Sequence, residues 1–495
     1  MKQQKLVSAN RTAGLGRWLL TAAALMMSVG AGAQTIDFST GNAGKMLSRT
    51  NEPQLIGIVD GSVVIVDKHG KNTELGRYDM DQNELASVVL AHEKETSCYG
   101  GYVNGNKVDL LMVREGDEGM RVWHERLDAT NLSVAAEPQT ILEMKGNKKD
   151  NFAYIIGTSP TQELLAGVAL AARKGLDPEM KVSLFDRNLE AYWHMSIDVT
   201  PVNQVIVNDS GEVALGYCSI DEKKPCLFTV VDGEHEEHFS FKITKEEDDF
   251  PVEATMMRYA DGKLLMAVSV CANHKVVMPL GTNVNRIDFY CYDVAKDELT
   301  RTSYKITNAE SARMSNSKEG KGTRNNWIQF GTIRQSIADD EGAYLMMDQT
   351  WSVTQNNIPV QQNHLGMLVV RVDEKGHVQW TRTMRLAAAS SWSGRNLINC
   401  RWRSTADGIM LATAQNAKSV LQGDEKPVKN MRPGKDKATL SVYTLDRSGD
   451  LRRSHYAIGK QTLIGSARTA DSHRFVVFLV GNGNKGQLGL LEFNK

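Results

Sequence analysis

His235 and His238 enclose Glu236 and Glu237 in the run GEHEEHF, and imidazoles beside carboxylates are the raw material of a divalent-metal site. A zinc protease needs His-Glu-x-x-His on a helix, where residues four apart share a face. On a strand, a three-residue spacing sends the two rings to opposite faces, so no metal is expected here. Asp79, Asp81 and Asn83 alternate in DMDQNE as ligands do in calcium loops, but the Gly and distal Glu of an EF-hand are missing, which makes this an exposed acidic turn. KEEDDF, 245–250, reads as a solvated loop. Catalytic signatures are equally sparse. The chain has no Gly-x-Ser-x-Gly elbow, no sialidase-type Asp turn, no phosphate-cradling loop before a helix and no dinucleotide fingerprint; GNAGKM, 41–46, lacks the spacing and the Ser/Thr of a P-loop. No cofactor is expected. Paired carboxylates for glycoside cleavage stay open, because distant segments can supply one each.

The densest binding chemistry lies in TRNNWIQF (323–330), DQTWSVTQNN (348–357) and AASSWSGRNLINCRWR (388–403). There Trp327, Trp351, Trp392 and Trp402 mingle with Arg395, Arg401, Arg403 and several Asn. Such side chains stack on sugar rings or peptides and direct hydrogen bonds to them. The plainer reading has the Trp residues filling gaps between structural units. Two long polar segments, 308–326 and 416–439, exceed ordinary hairpin connections and are expected either to cover one face of the molecule or to be disordered; the second is basic over Lys426–Lys437, a contact for an anionic partner or, by default, a solvated loop.

Six cysteines remain to be placed. Cys218 and Cys226 flank the short run SIDEKKP, and Cys271 with Cys291 occupies the corresponding place in the next unit, so two loop-closing disulfides are expected, each adding roughly 2–3 kcal/mol. Cys98 and Cys400 read as buried thiols.

These residues need a scaffold, and the sequence repeats one. LVVRVDEKGHVQWTRTMRL (368–386) is an apolar β-branched run, a turn with Asp373 and Gly376, and a return strand that alternates around Val378 and Trp380. Similar hairpins recur at 63–79, 108–128, 182–198, 227–243, 289–306 and 440–458, most of them preceded by a second hairpin with its own Asp/Gly turn. Four antiparallel strands per repeat predict an all-β chain, a single β-propeller of seven or eight blades, with eight preferred. The C-terminal piece offers three strands, and TIDFS, 35–39, is a candidate for the missing one.

The Asp-x-x-Gly turn followed four residues later by Trp380 resembles the blades of quinoprotein-like and WD40-like secreted bacterial propellers. That resemblance implies the fold and packing between blades. It implies neither a quinone nor a dehydrogenase activity.

Lys2, Lys5, Arg11 and Arg17 precede an apolar run ending at Ala31-Gly32-Ala33, which reads as a secretory signal peptide, 1–33, leaving 34–495 as the propeller. Its removal takes the formal charge from −1 to −5, which argues against nucleic acid. No membrane insertion is expected. The last blade runs almost to Lys495, which favours periplasmic retention over surface attachment. The expected function is that of a non-catalytic binding or assembly module in a Gram-negative envelope, with a protein, glycan or peptide ligand. The rival is a carbohydrate-active or peptide-processing enzyme with residues converging on the central channel, and a third reading is a subunit of a secretion or surface-polymer machine.

Overall fold

The computed structural model describes residues 35–42, 44–45, 54–69, 72–90, 96–116, 118–146, 150–173, 177–199, 201–221, 223–243, 246, 249–272, 283–315, 328–329, 331–355, 358–391, 400–405, 407–420, 426, 428, 436–459, 461–469, 473–481 and 485–494. Eight four-stranded antiparallel sheets form a ring, a β-propeller. Blades 1 to 7 span 54–90, 96–145, 151–197, 204–241, 250–305, 331–391 and 400–459, each built of four strands in chain order from the inside out; in blade 5 a short strand, Asn283–Val284, intervenes and pairs instead with Ile328–Gln329. Blade 8 takes three strands from 461–494, and its fourth is Thr35–Thr40, paired in register from Thr35 with Asn494 to Thr40 with Gly489. The first repeat is thus a complete blade, and the N-terminal strand closes the ring.

Burial follows strand position. The second strands are covered on both faces by neighbouring blades and are buried almost without a break, mostly by apolar residues, as in Lys263–Cys271 and Gly408–Asn416. Outer strands such as Ala191–Ile197 and Glu236–Phe241 alternate, because one of their faces meets solvent. The core is consequently divided into wedges. Leu265 and Phe289 of blade 5, for example, meet Leu345 and Val370 of blade 6.

One residue recurs at the end of every third strand in blades 1 to 7: Asp79, Asp128, Asp186, Asp232, Asp293, Asp373 and Asp446. Its carboxylate accepts backbone N–H groups of the turn it opens, as Asp186 does from Asn188 (2.8 Å) and Glu190 (2.9 Å), and Asp373 from Lys375 and His377 (both 2.9 Å). The turn then needs a left-handed residue, and three positions after the Asp the chain places Gly376 (φ 83°) and Gly449 (φ 85°). Gly449 also has Trp380 of blade 6 against it, so that a β-carbon would stand 2.8 Å from the ring. Trp380 Nε1 donates to Arg447 O of the same turn at 2.9 Å. The Asp-x-x-Gly…Trp pattern therefore binds one blade to the next.

Several expectations need correction. The hairpins at 63–79 and 108–128 are second and third strands, not third and fourth, because HGKN (69–72) and GDEG (116–119) imitate the outer turn. Cys271 and Cys291 are free and form no disulfide: Cys291 pairs with Leu265, six residues from Cys271 on the same strand, a separation of roughly 20 Å at 3.3 Å per residue. Cys218 and Cys226 do meet across their loop, yet both are free thiols, and Ser219 N–H donates to Cys226 Sγ at 3.3 Å. Cys98 is a free thiol with some exposure, and burial of its sulfur pushes its pKa up to about 12. The side chain of Cys400 lies outside the described residues.

KEEDDF is more than a solvated loop. Asp249 is buried and accepts from Arg286, which also binds Asp288 at 2.7 Å, while Glu246 holds Arg301 at 2.9 Å. Part of the 308–326 loop is a helix, Asn308–Met314, opened by a capping box in which Thr307 and Glu310 bond reciprocally. Glu310 also accepts from Tyr304 Oη (2.6 Å) and Thr381 Oγ1 (2.7 Å), joining blades 5 and 6.

Candidate functional site: the central channel

The first strand of each blade lines the axis, all eight running in the same direction, so the polar side chains on these strands face a shared space. One end of the ring carries tight Asp/Gly turns, such as Val59–Ser62 and Ala260–Lys263, and the other carries the longer connections. Between them the channel opens into a cavity of about 500 Å³ against the inner strands of blades 3 to 7. Its wall is made of Ile, Val and Met with Thr158, Gln204, Thr255, Gln335, Ser336, Trp402 and Arg403 among others, and none of the described residues that line it is Asp or Glu.

The wall is tied rather than loose. Gln204 on the blade 4 inner strand donates Nε2–H to Ala254 O (3.1 Å) and accepts from Met256 N–H (2.5 Å), bridging to blade 5. Ser336 on blade 6 donates to Met256 O at 3.1 Å. Glu253 accepts from Ile333 N–H at 2.8 Å, and burial raises its pKa, opposed by that amide and by Arg334. Arg334 in turn pairs with buried Asp348 at 2.6 Å. These two carboxylates sit together at one blade junction with a guanidinium between blades; they do not oppose each other across the axis.

On the other side of the channel, Arg468 of the blade 8 inner strand reaches past blade 1 and donates to Gly101 O of blade 2. Its guanidinium lies 4.9 Å from the Tyr102 ring centre. Burial lowers its pKa and raises that of Tyr102.

Of the residues singled out from the sequence, Trp402 and Arg403 line the cavity, on the blade 7 inner strand Cys400–Thr405 that also carries Arg401. Arg403 is held over Phe493 of blade 8, 4.8 Å from the ring centre, and donates to Ser404 O. Trp402 also packs in the wedge between blades 6 and 7, so it fills a gap between blades as well as lining the cavity. Trp351 lies on Gly342–Gln355, in a part of blade 6 that runs beyond the start of its inner strand at Gly331, which pairs with Gln349. Its side chain, and Trp327, Trp392 and Arg395 entirely, lie outside the described residues.

The two histidines of GEHEEHF bind separate carboxylates. His235 stands in the turn, 3.1 Å from Asp232, and His238 on the outer strand contacts Glu236 (2.9 Å) and Thr229 Oγ1 (2.9 Å). Asp79 of DMDQNE accepts from Asn83 N–H and Nδ2–H, both at 2.8 Å, as the exposed turn of blade 1. Gln204, Gln335, Glu253 and Arg468 were not among the sequence candidates. Their signal was positional: each stands on the first strand of a repeat.

No family model matches the chain, and no curated protein matches it either. Among solved structures, it is similar to the WD40 domain of SCAP from fission yeast (8% identity, 93% of this chain and 95% of that one, TM-score 0.39). The β-propeller of Nup133 from Vanderwaltozyma polyspora also matches (7%, 86% and 99%, 0.36), as does that of the Trilobed protease from Pyrococcus furiosus (10%, 79% and 93%, 0.36).

Proposed function

We propose that the chain is an exported, non-catalytic binding or assembly module of the bacterial envelope whose ligand enters the central channel. The observation that carries this reading is the wall of the 500 Å³ cavity: hydroxyl, amide and aliphatic side chains around Trp402 and Arg403, with no carboxylate among the described residues that line it to serve as acid, base or nucleophile. Such a wall, with one guanidinium, suits a polar ligand that offers hydrogen-bond acceptors, a glycan or a peptide segment of an envelope protein. Export rests on the basic residues and apolar run of 1–33. Among the described residues no helix is long and apolar enough to cross a membrane.

The test is affinity capture from envelope extract with the chain as bait, beside a Gln335→Trp variant. Gln335 is exposed to the cavity, so the indole narrows it while the blade wedges stay intact. Partners or glycans retained by the native protein and lost by the variant support the reading. Equal capture by both moves the ligand off the channel, and robust turnover of a glycan or peptide by the native protein refutes the non-catalytic assignment.

A further inference from the structure

A second site lies on the face that carries the Asp/Gly turns, at the junction of blades 2 and 3. An open groove of about 360 Å³ is lined there by Asn104, Asn106, Lys107 and Arg126 of blade 2 and by Asn188 and Glu190 of blade 3. Two local causes bring them together. The first two strands of blade 2 are joined by a turn of two residues, Gly105 (φ 57°) and Asn106, which leaves Asn104, Asn106 and Lys107 exposed. The outer turn of blade 3 is drawn over them by Leu189, which is only 3% exposed and lies in the wedge with Leu111 and Val122 of blade 2.

Part of the lining is already tied. Arg126 Nε donates to buried Asp109 Oδ1 at 2.7 Å, and its Nη2 donates to Asn188 O and Glu190 Oε1, both at 3.2 Å. Asn104 Nδ2 donates to Asn188 Oδ1, and Asn188 Nδ2 to Asp186 Oδ2 at 3.0 Å. Arg126 thus offsets Glu190, and Lys107 sets the charge of the groove. Neither the Lys107 ammonium nor the Asn106 side-chain amide has a partner among the described residues. Corresponding junctions spend such groups. Lys263 opens the second strand of blade 5 as Lys107 opens that of blade 2, and it pairs with Glu374 of the blade 6 turn at 3.7 Å. Between blades 6 and 7, Asp340 and Glu341 take Arg447 at 2.6 and 3.1 Å. Between blades 2 and 3 the arginine takes the acid, and the lysine and the amide are left over.

We propose that this groove binds an extended peptide segment bearing an acidic side chain, its main chain on Asn104 and Asn106 and its carboxylate on Lys107. A side-chain amide offers donors on one side and an acceptor on the other, the match of a peptide unit, and an ammonium adds a charge-assisted bond to a carboxylate. Asn104 keeps its carbonyl oxygen for this purpose, because its printed bond uses only Nδ2. None of the described residues that line the groove is aromatic, so it offers no ring on which a sugar could stack. Its volume is at the lower end of the roughly 300–1,000 Å³ of ligand pockets, which suits a few residues of extended chain. The site is independent of the channel reading.

The experiment measures, by fluorescence anisotropy on the purified chain, the binding of labelled, end-blocked pentapeptides with Glu, Gln or Lys at the centre and Ala, Ser or Val elsewhere. Saturable binding of the Glu-centred set, roughly tenfold tighter than the Gln-centred one, is expected. Lys107→Gln is expected to erase the preference for Glu, whereas Asn106→Ala weakens the Glu and Gln sets alike, because one residue reads charge and the other the main chain. Lys375→Gln, on the blade 6 turn, and Gln335→Trp, in the channel, are expected to leave the binding as it was. All four positions are exposed, so the variants keep the fold, and their melting temperatures check this. Absence of saturable binding, a preference for Glu that survives Lys107→Gln, loss of binding in Gln335→Trp, or binding of oligogalacturonate in place of the peptides overturns the proposal.

Discussion

Asp373 shows what a single residue contributes and what pH does to it. Burial opposes its ionisation, but the backbone amides of His377 and Lys375 and the His377 side chain win, so its pKa lies below the ordinary carboxylate value. Asp232 is lowered by the amides of Glu234 and His235. A carboxylate whose folded pKa is depressed stabilises the fold above its unfolded value, about 3.9, and that contribution is lost as pH falls through the folded value. Because Asp79, Asp293 and Asp446 are lowered in the same way, acid unfolding is expected to steepen below about pH 4. Asp373→Ala, which removes the two backbone N–H bonds of the turn together with the contacts from His377 Nδ1 and Gln379 Nε2, is expected to cost about 1–3 kcal/mol at neutral pH and much less at pH 2, measured by urea denaturation. A loss of equal size at both pH values would show that the carboxylate charge plays no part.

At the scale of the turn and strand, Gly449 and Gly262 make a matched pair. Both adopt positive φ, 85° and 66°, so alanine strains the backbone at each by about 1 kcal/mol. Only at Gly449 does the added carbon meet Trp380 at 2.8 Å, whereas nothing stands within 4 Å of one at Gly262. Gly449→Ala is therefore expected to be worse than Gly262→Ala by about 1–3 kcal/mol, the cost of overpacking an inter-blade contact. Equal losses would remove the Trp from its bridging role. Hairpins of this kind were legible because a covered strand, an Asp/Gly turn and an alternating strand differ in composition. Their rank within the blade was less so: in blades 1 and 2 two successive turns look alike, and the reading slipped by one strand. The cysteines illustrate the same limit. Cys271 and Cys291 fall in consecutive elements, but a strand can place a residue at either end of the blade, and peptide mapping of the purified protein is expected to find no Cys271–Cys291 link.

Ring closure belongs to the whole molecule, and with it the site, since a channel exists only while all eight inner strands face one axis. The site was the less legible part for that reason: Gln335 and Arg468 are unremarkable in their local sequence and become neighbours of a channel only through closure. The seam that maintains closure is the strand Thr35–Thr40. It supplies Ile36 and Phe38 to the wedge between blades 7 and 8, and Tyr456 Oη of blade 7 donates to Ile36 O. Phe38 lies against Tyr456 in a tilted pair, ring centres 5.1 Å apart, and Gly489 leaves room for it, since a β-carbon there would stand 2.8 Å from the Phe38 ring. Asn42 adds a second tie, its backbone N–H donating to Asp81 of blade 1 at 2.7 Å. Deleting 35–40 uncovers the last strand of blade 8 as an open edge and strips one side of a hydrophobic wedge, so the truncated chain is expected to unfold earlier and less cooperatively. Because the lost element is one paired strand, a peptide of sequence TIDFST supplied in excess is expected to add to that edge and restore part of the stability, while a peptide with Ala in place of Ile36 and Phe38 is not. Phe38→Ala in the intact chain separates the two contributions. A loss of about 2–3 kcal/mol, less than a fully buried Phe would show, places the seam in the wedge; no loss places it in the backbone ladder alone.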